Sequence, residues 1–117
     1  MNVPIDDTLS NVPVHEPEGA VDITNSVDLR ESMLKQVEQG ARALVLDLHA
    51  VRYVDSSGLS ALVSVATALE RVRGSLVLCN VDAAVMKVLE MTRLTEYFQL
   101  ESSRNAAIER AVHVHAS

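Results

Sequence analysis

Residues 51–62 read VRYVDSSGLSAL. Asp55, Ser56, Ser57 and Gly58 stand between an apolar strand-like run and an apolar helix-like run, and the residue that starts the helix sets the reading of everything around it. Aspartate and serine are both strong N-cap residues, because a side-chain oxygen accepts from an orphan amide of the first turn. With Asp55 as the cap, Val54 precedes it and Leu59 is the fourth helical residue, which is the apolar pair of a hydrophobic staple. With Ser56 as the cap, the same positions hold Asp55 and Ser60, which is no staple. The spacing therefore makes Asp55 the cap and puts Ser56 at the first helical position, where its hydroxyl owes no hydrogen bond. Two serines and a glycine in a first turn cost roughly 1–2 kcal/mol of helix propensity relative to alanine. Serine at a helix start is also an ordinary way to satisfy amides, so the turn alone does not separate a modified hydroxyl from a structural one.

The flanking chain alternates strand and helix. ALVLDL (43–48) is a near-continuous apolar run, as expected of a strand covered on both faces, and it is expected to lead straight into the turn. After the turn, Leu59, Leu62, Val63, Ala66 and Leu69 recur at helical spacing up to about Gly74. SLVLC (75–79) reads as a second buried strand. DAAVMKVLEMTRL (82–94) is a helix with Asp82 as cap and Val85, Val88 and Leu89 inward. YFQL (97–100) is a short strand, and SSRNAAIERAV (102–112) a last helix capped by Ser102 or Ser103. Upstream, TNSVDLRESMLKQVEQG (24–40) is a helix closed by Gly40, with Val27, Leu29, Met33, Leu34 and Val37 on one face. This order predicts an α/β fold: a mixed, mainly parallel central sheet of four to five strands flanked by about four helices.

Residues 1–18 are less regular. Pro4, Pro13 and Pro17 confine strands there to an edge, since proline lacks the ladder donor. NVPVH (11–15) is the better strand and MNVPI (1–5) the weaker, with antiparallel edge pairing expected. Residues 113–117 read as a short tail.

Composition narrows the function. The 117 residues suit one domain, 48% hydrophobic residues suit a packed core, and that core is aliphatic because Tyr53, Tyr97 and Phe98 are the only aromatics. A net charge of −6 with scattered basic residues disfavours nucleic acid. MNVPIDDTLSNVPV has no signal-peptide pattern, and no apolar run approaches the roughly 18 residues of a membrane span, so a soluble cytoplasmic protein is expected. The single Cys79 reads as a buried small hydrophobe. No phosphate-binding glycine loop occurs, and no G-x-S-x-G elbow surrounds Ser56, so the chain does not read as an enzyme. His15, His49, His113 and His115 lack a ligand pattern, the last two falling in the tail. No metal or cofactor is expected.

LVLDLHAVRYVDSSGLSAL (44–62) resembles the central segment of STAS domains, in particular the bacterial anti-sigma factor antagonists, where D-S-[ST]-G-L opens a helix. GAVDITNSVDLRESML (19–34) is similar to the family's G-E-L-D turn and first helix, with Ala20 in place of the glutamate. GSLVLCNVDAAVMKVLEMTRLTEYFQL (74–100) is similar to its last strands and intervening helix. The stretch VPVHEPEG (12–19) departs from the family's alternating strand by its two prolines. The resemblance implies a partner switch in signal transduction: an ATP-dependent anti-sigma factor kinase phosphorylates Ser56, the unphosphorylated form binds that kinase, and a PP2C-type phosphatase restores the serine. By the same resemblance Asp22 lies near the partner-binding surface, and Asp55, Ser56, Ser57 and Gly58 are expected there with it. Ser57 is either an alternative acceptor or a hydrogen-bonding neighbour, and Gly58 either lets a partner's backbone approach the turn closely or is a tolerated small residue at a helix start. The alternative the resemblance leaves open is a fixed STAS scaffold in a larger complex, of stressosome or lipid-transport type.

Overall fold

Strand β3 (Ala43–Asp47) is buried at every residue, and its side chains alternate between two cores. A computed structural model describes residues 12–116, with side chains described through His113. Leu44 and Leu46 point into one core with Met33, Leu62, Leu69, Leu76, Leu78, Val85 and Leu89. Ala43 and Val45 point into the other with Val12, Val77, Cys79, Ala107, Ile108 and Ala111. Period-two alternation with both faces apolar is what a strand between two helical layers requires.

The four-stranded sheet has the order β1-β3-β5-β6, where β1 is Val14–His15, β5 Ser75–Cys79 and β6 Gln99–Glu101. All three pairings are parallel. Helices α1 (Ser26–Glu38), α2 (Ser56–Arg71) and α3 (Ala83–Met91) supply the first core, and α4 (Arg104–Ala116) the second. A 3₁₀ turn at Thr95–Tyr97 leads into β6, so the last strand starts two residues later than YFQL suggests. The caps Asp82 and Ser103 are as expected, accepting from the amides of Ala84 and Ala106.

Three expectations change. The edge strand β1 pairs parallel to β3, not antiparallel, because a crossover containing α1 returns the chain to the end where it began. The run ALVLDL does not lead into the DSSG turn: β3 stops at Asp47, and the chain forms a separate strand β4 (Val51–Val54). β4 pairs parallel with β2 (Gly19–Val21) in a two-stranded sheet of its own. Buried Val51 and Val54 bracket exposed Arg52 and Tyr53, so one face of this small sheet closes the first core. Finally, the backbone of 113–116 is helical, continuing α4 through the stretch read as a tail. MNVPI lies outside the described residues.

Gly40 closes α1 at φ +105, the left-handed region glycine enters without cost. Gly74 has a different use. Arg73 takes the left-handed position after α2 at φ 59, and Gly74 lies against the Arg42 carbonyl, which a Cβ there would meet at 1.9 Å.

Candidate functional site

Register across the small sheet places Val21 opposite Val54, so the next residues, Asp22 and Asp55, emerge side by side. Asp55 caps α2 as its spacing predicts: Oδ1 accepts from the Gly58 amide at 2.9 Å. Its Oδ2 accepts from the Ile23 amide at 3.2 Å, which ties the loop after β2 to the start of α2. Asp22 Oδ1 accepts from the Thr24 hydroxyl at 2.5 Å and the Thr24 amide at 2.9 Å, and these bonds hold its carboxyl below the usual carboxylate range. Asn25, at the cap position of α1, makes no side-chain cap bond. Its side chain accepts from the Asp22 amide and donates to the Ala20 carbonyl, shaping the loop that presents Asp22.

Ser56 is exposed at the first position of α2, and its hydroxyl makes no hydrogen bond among the described residues. Ser57 is half-buried, and its hydroxyl likewise makes none among the described residues. Gly58 is buried, and the backbone that approaches it is the chain's own: a Cβ would lie 2.2 Å from the Val21 carbonyl oxygen and 2.9 Å from Val54 Cγ1. The packing of α2 on the end of β2 therefore requires the glycine within the chain itself.

A shallow groove runs between the starts of α1 and α2, with Ile23, Ser26, Val27 and Arg30 facing Ser56, Ser57 and Ser60. Ile23 is 74% exposed and Val27 49% exposed. Val27 was expected on the inward face of α1. That face follows Ser26, Leu29, Met33 and Val37 instead, and Val27 stands about 100° round from Ser26. The site is thus an exposed hydroxyl, two neighbouring carboxylates and a small uncovered apolar patch.

The carboxyl end of the main sheet carries a polar cluster that the sequence reading missed. Asp47, at the end of β3 and 3% exposed, accepts from Arg104 Nε at 3.0 Å, Asn80 Nδ2 at 3.1 Å and the His49 amide at 3.0 Å. His49 Nδ1 lies 3.1 Å from the same carboxylate, and Arg104 also pairs with Glu16. A lone aspartate inside ALVLDL was the available signal, since a charge in a run covered on both faces needs a partner. Glu16, Asp47 and His49 bring ligand-type atoms within 4.8 Å of one another. The Arg104 guanidinium engages both carboxylates. His15 contacts Gln36 of α1, His113 is exposed on α4, and the side chain of His115 lies outside those described.

A parallel sheet between helical layers, with a capped D-S-S-G turn on an exposed corner, defines a small α/β domain. The STAS domain family profile matches residues 4–107, and the chain belongs to that family. A protein of Bordetella bronchiseptica named as a candidate anti-sigma factor antagonist, BtrV, is 37% identical over 90 residues, covering 77% of this chain and 78% of its own. The anti-sigma-B factor antagonist of Bacillus subtilis is 28% identical over 91 residues, covering 78% and 83%. Among solved structures, the anti-sigma factor antagonist SpoIIAA in its unphosphorylated form superposes with a TM-score of 0.73 at 24% identity, covering 83% of this chain and 84% of that one. SpoIIAA of Bacillus in the phosphorylated form superposes at 0.66 and 23%, covering 83% and 87%. At these identities the superpositions establish the fold. Among the described residues, no helix is long and apolar enough to cross a membrane.

Proposed function

We propose that the chain is an anti-sigma factor antagonist working by partner switching, with Ser56 as the switch. The observation that carries this reading is the division of labour in the turn: Asp55 caps α2, which leaves the Ser56 hydroxyl exposed and without a hydrogen bond among the described residues. In the transfer, Ser56 Oγ attacks the γ-phosphorus of ATP held by an anti-sigma factor kinase. The bond from that phosphorus to ADP breaks, and the hydroxyl proton passes to a base of the kinase. A PP2C-type phosphatase reverses the modification with water, returning serine and inorganic phosphate. The names of the Bordetella and Bacillus relatives support the output class, as does a related fold solved both with and without a phosphate.

Phosphate adds about −1.5 to −2 charges beside Asp22 and Asp55. In a packed interface that repulsion and desolvation would remove about 3 kcal/mol or more, a loss of over a hundredfold in affinity. No catalytic group is assigned to this chain itself, and the location consistent with such partners is the cytoplasm.

The test is phosphopeptide mapping of the protein from its native host, combined with capture of the kinase by wild-type, Ser56→Ala and Ser57→Ala forms. The expected result is a phosphate on Ser56, absent from Ser56→Ala, with the kinase retained only by unmodified protein. If no phosphate appears in growth, stress or stationary phase, and the partners bound do not change, the switch is wrong and the fixed-scaffold reading replaces it.

A further inference from the structure

We propose that Arg30 is the counter-ion for the phosphate on Ser56, drawing the modified serine into the groove between α1 and α2 so that phosphorylation closes over the apolar patch as well as charging it. This inference rests on the phosphoserine reading above and concerns how the modified state is held.

Arg30 lines the groove opposite Ser56, Ser57 and Ser60, and it is the one basic residue among those lining it. Its side chain makes no ion pair or hydrogen bond among the described residues. Its helix-spaced neighbours on α1 are Ser26, Val27, Met33 and Leu34, none of them acidic, so no local carboxylate commits the guanidinium. The start of α2 is a poor anion site on its own, because Asp55 takes the Gly58 amide and brings its own negative charge. A phosphate on Ser56 therefore meets repulsion from Asp55 and Asp22 on one side and an uncommitted guanidinium on the other. Guanidinium offers a planar fork of donors matched to phosphate oxygens, so the bond is directional as well as electrostatic. Ile23 and Val27 border the same groove, and a side chain bridging it covers them.

The experiment is a double-mutant cycle on the full chain, with phosphoserine installed at position 56 by genetic encoding, in wild-type, Arg30→Gln and Arg30→Lys backgrounds. Urea denaturation is read for each modified and unmodified form. The expected result is that Arg30→Gln raises the unfolding equilibrium constant of the phosphorylated form about five- to tenfold more than that of the unmodified form. Arg30→Lys should recover part of the difference, and about 0.5 M salt should shrink it. Amide exchange at Ile23–Val27 should slow on phosphorylation in wild type and not in Arg30→Gln. Equal effects of Arg30→Gln on both forms, with unchanged exchange, overturn the proposal. Because the phosphate is installed directly, that outcome is separable from the absence of Ser56 phosphorylation in cells, which would end the switch reading and leave the cycle intact.

Discussion

At the C-terminal end of β5, the Cys79 thiol is fully buried, and burial, reinforced by the nearby Asp47 charge, pushes its pKa from 9.0 up to about 12. In the unfolded chain the thiol ionises near its ordinary value, so the folded state holds a proton that the unfolded state has lost. Stability from this source is complete below about pH 9 and declines as pH rises towards 12, by about 1.4 kcal/mol per pH unit. Cys79→Ala should flatten the alkaline fall in stability between those values, measured by urea denaturation across pH. An unchanged slope would show that another group controls it. Asp22 has the opposite sign: its lowered carboxyl favours the fold at neutral pH and ceases to do so in acid. At the same scale, the assignment of the cap to Asp55 was legible because the staple pair Val54 and Leu59 fits only one registration. The partners of Asp47 were not, since Asn80 and Arg104 lie 33 and 57 residues away.

Among the elements, α2 and the small sheet are locked together at a single glycine. Gly58 in a helix would ordinarily gain about 1 kcal/mol on replacement by alanine. Here a Cβ meets the Val21 carbonyl oxygen at 2.2 Å, and backbone cannot give way as a flexible side chain does. Gly58→Ala should therefore destabilise by about 1–3 kcal/mol despite its better propensity, read from the denaturation midpoint. A gain in stability would mean that α2 shifts freely on β2. The pairing of β4 with β2, irregular between Gly19 and Ala20, explains how β4 escaped the sequence reading. VRYV has strand-forming residues, but it is four residues long and its burial pattern follows contact with β2 and the first core rather than simple alternation.

Over the whole molecule, two apolar layers meet at the main sheet, and Asp47 ties its far end together. It joins β3, the loop after β5 and the start of α4, and through Arg104 it reaches Glu16 in the N-terminal segment. Removing a buried carboxylate leaves a partly buried guanidinium with one partner fewer, so Asp47→Ala should cost about 2–4 kcal/mol by urea denaturation. A loss under about 1 kcal/mol would show that the layers hold without it. The amino-acid sequence by itself determined the α/β class, the run of helices, the caps Asp55 and Asp82, the two central strands and the serine left without a capping role at the turn. Each of these follows from interactions within a few residues: periodicity, capping and propensity. Only the tertiary structure decided the parallel edge strand, the separate β2–β4 sheet, the intramolecular need for Gly58, the outward Val27 and the groove that Arg30 and Ser56 both line. Those depend on which distant backbones are brought into contact, and local spacing carries no record of that.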